Sequence, residues 1–170
     1  MVDLKADTVS ITLWGDGLIK GKWFEWYYDM DTIFQELGYK KTHFDIQSEA
    51  YTINKIVTVK RKEKQVLPIL QNGKVTRVSC YSLPKDYKSA SFDYNVLAVR
   101  QSKYISLIMD IKDFGKIDVN CYISSLLKYI EFEYGEIYQM NRDEVPLIYA
   151  AKANPIDAFQ SLIILKTIKK

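Results

Sequence analysis

Apolar and polar residues alternate from Thr8 to Trp14, with Val9, Ile11 and Leu13 on one side, and Gly15-Asp16-Gly17 closes the run. A period of two carried by β-branched residues predicts a strand. From Lys22 to Leu37 the period changes. Trp23, Trp26/Tyr27, Met30, Ile33/Phe34 and Leu37 recur at the spacing of an amphipathic helix, and Gly38 supplies a left-handed C-cap. Thr42-His43-Phe44-Asp45-Ile46 reads as a short strand. Residues 47–73 are ambiguous. Ile53, Ile56, Val57 and Val59 fit a strand or a short helix, and Lys62 to Gln71 fits a helix interrupted at Pro68 and ended by Asn72-Gly73. Three strands follow, Val75–Leu83, Phe92–Arg100 and Tyr104–Ile111, and their short connections favour an antiparallel meander. Asp118 is an N-cap for a second long helix, with a stripe at Val119, Tyr122/Ile123, Leu126/Leu127, Ile130 and Tyr134 and a stop at Gly135. Gly135–Met140 reads as a strand, and Asn154-Pro155 opens a final helix to about Leu165.

The order strand, helix, glycine, strand occurs over 8–46 and again over 104–140. This pseudo-repeat predicts a single α+β domain over 1–170. Its antiparallel or mixed sheet has helices on one side and is built from two ferredoxin-like β-α-β halves. A chain of this length buries roughly two-thirds of its unfolded surface, so it needs neither disulfide nor metal to fold. Exposed sheet edges would allow a homodimer by strand addition.

The chemistry-bearing residues are sparse. His43 is the one histidine, and Cys80 and Cys121 are the two cysteines. No C-x-x-C spacing, G-x-S-x-G elbow or G-K-[ST] phosphate loop occurs. Gly15, Gly17 and Gly21 spell G-x-G-x-x-x-G between a strand and a helix, but they precede the helix where a dinucleotide loop would open it, so a plain turn is the reading. Cys121 sits near a helix start and is read as a small packed side chain. Glu131, Glu133, Glu136, Asp143 and Glu144 read as a solvated acidic face, with Glu131 and Glu133 on different sides of a helix. The sequence thus predicts no catalytic residues, no metal site and no cofactor. The acid-bearing start Met1–Asp7 is no secretory signal, and no run is long enough to span a membrane. A cytoplasmic protein with reduced thiols is expected.

Charge and aromatic content point instead to binding. Residues 1–53 carry five basic and nine acidic side chains, 54–112 carry twelve and four, and 113–170 carry seven and eight. The middle third is a basic segment between acidic ones, suited to an acidic partner. Its densest part, Lys55 to Lys64, includes Lys60, Arg61 and Lys62 and reads as a solvated loop or lysine-protected edge strand. It contains no aromatic residue on which nucleic-acid bases could stack, so a nucleic-acid-binding module at 55–64 is the second reading. The chain has 13 tyrosines. Trp23-Phe24-Glu25-Trp26-Tyr27-Tyr28 has more rings than one helix face can bury, which makes Phe24 and Tyr28 candidate partner anchors. With Lys60, Arg61 and Lys62 they form the predicted partner-binding set.

Tyr134-Gly135-Glu136-Ile137-Tyr138 followed by Pro146-Leu147-Ile148-Tyr149-Ala150 resembles the Y-G-x-x-Y…P-x-x-Y-A pattern of some bacterial immunity proteins, the antidotes to polymorphic or contact-dependent toxins. Where that family often has a glycine soon after Tyr-Ala, this chain has Ala151-Lys152-Ala153. The resemblance implies stoichiometric binding to one cognate protein toxin, without catalysis. It places Tyr134 and Tyr138 in core or sheet, and Pro146 and Tyr149 in a fixed turn.

Overall fold

A computed structural model describes residues 7–49 and 55–170. Ile53 and the first six residues lie outside them. The eight strands are β1 (Thr8–Asp16), β2 (His43–Ser48), β3 (Val57–Thr58), β4 (Val75–Ser82), β5 (Val96–Gln101), β6 (Tyr104–Asp110), β7 (Glu131–Met140) and β8 (Ile163–Lys169). The helices are α1 (Trp23–Glu36), α2 (Val59–Asn72), α3 (Ile111–Phe114), α4 (Val119–Leu127) and α5 (Pro146–Ala150). All eight strands form one sheet in the order β3-β2-β4-β5-β6-β1-β7-β8, and every neighbouring pair is antiparallel. The fold is α+β. The pairing makes β1 parallel to β2 across three intervening strands, and β6 parallel to β7 across β1.

Alternation along the strands splits the core into two layers. Val9, Ile11 and Leu13 of β1 join Phe44, Ile46, Val78, Ala98, Ile105 and Leu107 beneath the inner faces of α1, α2 and α4. The opposite face carries Trp14, Tyr81, Leu97, Val99, Ile108 and Tyr138. It is covered by α5 and by coil that contributes Tyr94 and Phe159. The polar side of β1 therefore does not meet solvent. Thr12 Oγ1 lies 2.8 Å from both Ser106 Oγ and Tyr138 Oη, and Thr8 Oγ1 donates to Met140 O at 2.7 Å. A buried hydroxyl left without a partner is costly, and this network supplies partners to Thr8 and Thr12.

The pattern of Tyr134, Tyr138, Pro146, Tyr149 and Ala150 converges on this second layer. Tyr134 stacks on Trp14 at 4.9 Å, and Tyr149 meets Tyr138 edge-on at 4.7 Å. Trp14 Nε1 donates to Ala150 O at 2.7 Å. Pro146 starts α5 immediately after Val145, whose φ is 53°.

Several expectations are corrected. The helices are not all on one side, because α5 sits on the face opposite the longer ones. The helix after Asp118 ends at Leu127, so Tyr134 and Gly135 belong to the middle of β7. The apolar positions Ile130, Phe132 and Tyr134 also satisfy a period of two, and pairing with β1 selects that period. Phe92 and Asp93 belong to coil, not to β5. The final helix is absent: Ile156–Ala158 is one 3-10 turn, and Ile163–Lys169 is a strand captured by the free side of β7. Helix α2 runs through Pro68. Proline removes one helical donor, but Lys64, whose carbonyl loses it, is exposed, so water can serve as the partner.

The two thiols occupy opposite environments. Burial pushes the Cys80 thiol up to about 12. Cys121 is exposed, not packed, and its Sγ donates to Asp118 Oδ2 at 3.3 Å. That carboxylate hydrogen bond and charge hold the Cys121 thiol above its ordinary value, against the activation a helix start can give. Iodoacetamide at pH 8 should therefore label only Cys121 in the native protein, and Cys80 only at the rate of unfolding. Asp118→Asn should speed Cys121 labelling; peptide mass mapping against time checks both.

Candidate interaction surface

The inner stripe of α1 buries Trp23, Trp26, Tyr27, Met30, Ile33 and Phe34. Phe24 is half-buried against the same core, whereas Tyr28 is 40% exposed. One helical turn apart, their rings lie 4.8 Å from each other. Tyr27 Oη donates to Glu63 Oε2 at 2.8 Å and so ties α1 to α2. Lys41 fixes the other flank. Its ammonium lies 3.0 Å from the Tyr27 ring centre, pairs with Asp31 at 3.1 Å and donates to Tyr27 O at 2.9 Å. The same ammonium is 5.8 Å from the Tyr28 ring centre. Burial first, then the charges of Glu63 and Asp31, push the Tyr28 hydroxyl above its ordinary value. Tyr28 thus stands beside the start of α2, as a neutral ring with a donor at its tip.

Lys60, Arg61 and Lys62 form the first turn of α2, which contains no acidic residue, and Thr58 at its N-cap makes no side-chain cap. Backbone N–H groups at a helix start carry a partial positive charge, and each cation there costs about 0.3–1 kcal/mol. Among the described residues no carboxylate pairs with Lys55, Lys60, Arg61 or Lys62. Beside this turn opens a cavity of about 380 Å³, lined by His43, Lys55, Thr58, Arg61, Lys62 and Tyr87 among others. Pairing of β2 with β3 places His43 opposite Thr58 and brings the imidazole to its wall. The ring meets Tyr87 edge-on at 5.3 Å, and Nδ1 lies 2.8 Å from Thr42 Oγ1. Burial holds the His43 pKa below its ordinary 6.5, so the imidazole is neutral at pH 7 and the charge of the wall comes from Lys and Arg.

The structure therefore brings the predicted residues to one region in two groups. Phe24 and Tyr28 lie on α1, and Lys60, Arg61 and Lys62 lie on α2, joined through the Tyr27–Glu63 contact. The basic run is an edge strand of two residues followed by a helix. His43 and Tyr87 were missed as members of this surface. Only the pairing of residues 43–44 with 57–58 could have revealed His43, and the masking of periodicity by a two-residue strand hides it.

The other candidate groups have internal partners or lie apart. Glu131 and Glu133 share one exposed side of β7, since they are two apart on a strand. Glu136 accepts from Tyr149 Oη at 2.7 Å, and Glu144 accepts from Ser161 N at 2.6 Å. Among the described residues no three His, Cys, Asp or Glu side chains are grouped to hold a metal ion. Among them, too, no helix is long and apolar enough to cross a membrane.

The glycines of Gly15–Gly21 are explained by the turn itself, two by close backbone approach and one by its left-handed conformation. A Cβ at Gly15 would lie 1.9 Å from Glu131 O, where the β1–β7 register shifts. A Cβ at Gly17 would lie 1.9 Å from Gln101 O. Gly21 has φ 56° and hands the chain to α1.

No family model, curated protein or solved structure matches this chain. What the surface can do must be argued from its own chemistry. It presents unneutralised cations, a concave wall and adjacent aromatic rings, which together suit a carboxylate-bearing protein surface.

Proposed function

We propose that this chain is a toxin-neutralising immunity protein, acting by stoichiometric binding of a cognate protein toxin in the cytoplasm, without a catalytic step. The observation that carries the reading is the cationic first turn of α2 beside the His43–Tyr87 cavity, on a helix tied through Tyr27 and Glu63 to the one that bears Phe24 and Tyr28. A partner that supplies anions there would relieve the opposition between these cations and the helix start. The C-terminal tyrosine pattern supports the same reading, because its residues act as fold determinants of the second core layer and leave the α2 surface free to vary. We read the two crossovers, β1-α1-β2 and β6-α3-α4-β7, as diverged copies of one ferredoxin-like β-α-β unit, with α1 and α4 on the same face.

The test is affinity capture of the tagged protein at moderate salt, followed by suppression of the captured protein's toxicity. Lys60→Glu, Arg61→Glu and Lys62→Glu should each weaken that complex by about tenfold, in line with loss of a close charge pair, with thermal stability unchanged or slightly raised. Binding should also tighten as pH falls through 6.5, because a carboxylate at the cavity raises the His43 pKa in the complex only. Recovery of nucleic acid with a steep salt dependence would replace this reading with a phosphate-binding module at 55–64.

A further inference from the structure

The two ends of the sheet are finished differently. One ends in β3, a strand of two half-buried residues that passes directly into lysine-rich α2. The other ends in β8, seven residues long, which pairs with β7 alone; among the described residues no strand covers its outer side. Ile163, Ile164 and Leu165 are 52%, 37% and 45% exposed. A register shift between Ile137 and Tyr138 leaves Leu165 without a partner on β7. The helical layer does not reach this strand, of which Ile168 alone packs against the main core. Long apolar edges template unwanted pairing, and proteins ordinarily shorten, bend or charge them. Here the far edge is shortened to two residues, whereas the β8 edge keeps seven, with one bulge at Leu165 and lysines only from residue 166 on.

Charge selects the occupant. Residues 159–170 carry Lys166, Lys169 and Lys170 and no Asp or Glu. Lys166 and Lys169 face Ile137 and Tyr134 across the strand pair, and among the described residues neither pairs with a carboxylate. A second copy would lay lysines along lysines with nothing to neutralise them. We propose that the outer edge of β8 receives an extended, acidic segment of a protein partner as a ninth strand. Its main-chain groups would bond to β8, its apolar side chains would cover Ile163, Ile164 and Leu165, and its carboxylates would meet Lys166 and Lys169. This surface lies at the opposite end of the sheet from the α2 cavity, so it stands or falls separately from that reading.

Because Lys166 and Lys169 lie on opposite faces of the sheet, the probes are two N-acetylated seven-residue peptides of Val, one with Glu and one with Lys at two positions three apart, titrated into the full-length isotope-labelled protein. The Val/Glu peptide should bind saturably and shift amide signals of 163–169 and of β7. It should bind at least about tenfold tighter than the Val/Lys peptide. The double variant Lys166→Glu/Lys169→Glu should reverse that preference, an outcome that unfolding cannot imitate. Ile163→Thr with Leu165→Thr should weaken Val/Glu binding while leaving the melting temperature in place, since both side chains are exposed. Equal binding of the two peptides, no binding, or shifts confined to α2 would overturn the proposal. So would a free protein that sediments as a dimer with slowly exchanging β8 amides, which would assign the edge to self-pairing.

Discussion

Replacing Arg100 with alanine should cost the fold about 2–6 kcal/mol, the sum of about 1–3 kcal/mol for each of two carbonyls left without a donor. Arg100 is fully buried on β5 and faces the helical layer. Its Nε donates to Gly17 O at 3.0 Å, and Nη2 donates to Gly21 O. The guanidinium carbon lies 4.0 Å from the Trp23 ring centre and 5.3 Å from that of Tyr129. Aromatic faces, in place of a carboxylate, meet the charge. Burial pulls the Arg100 pKa down to about 10, which still leaves it protonated at neutral pH. Alanine would orphan two carbonyls, each at about 1–3 kcal/mol, and open a void under α1. Lysine would keep the charge but lose the forked donors, and should recover less than half of the stability. Urea unfolding should show a lower midpoint with an unchanged slope. A midpoint within error of the parent would mean that the 17–21 segment holds itself.

Gly17→Ala should be nearly as damaging, at about 1–3 kcal/mol or more, the range for forcing atoms into a packed site. The obstacle is the backbone carbonyl of Gln101, which cannot swing aside as a side chain can. Gly17 N also donates to Ser102 O at 2.9 Å, so retreat of the loop breaks a hydrogen bond of the β5–β6 turn. Because Arg100 and Gly17 grip the same segment, the double variant should lose less than the sum of the two singles. Once the arginine no longer holds the loop down, the added methyl has room. Strict additivity in the double-mutant cycle would show that the two contacts act on different parts of the structure.

How much of this was legible in the sequence depends on which force shaped each element. β1, α1, β2, β4 and β6 were readable because their own burial sets their periodicity: Trp23 to Phe34 must face one layer, and Val9, Ile11 and Leu13 another. β8 was not, because 163–168 fits a helix or a strand and the open side of β7 decided between them. Tyr134 and Gly135 were misplaced for the related reason that a helical stripe and a strand overlap near Ile130. That Tyr28 is exposed and that Lys60, Arg61 and Lys62 lack a carboxylate partner among the described residues was legible residue by residue, from surplus rings and from unneutralised charge, whereas Phe24 packs half-buried against the core. The neighbourhood of the basic turn with His43 and Tyr87 was not legible, since it comes from strand pairing and from the path of the 84–95 coil.

The central place of β1 sets a timetable for the chain's birth. This strand leaves the ribosome before both of its flanking partners, Tyr104–Asp110 and Glu131–Met140. Thr8 and Met140, joined by a hydrogen bond, are 132 residues apart along the chain. Elongation proceeds at roughly 5–20 residues per second, so Val9, Ile11 and Leu13 wait for several seconds without the strands that will enclose them. Pairings this distant also carry a high entropic cost of closure. Until β7 emerges one side of β1 is an uncovered edge, and truncation before Glu131 should yield an aggregating chain whose sheet ends at β1.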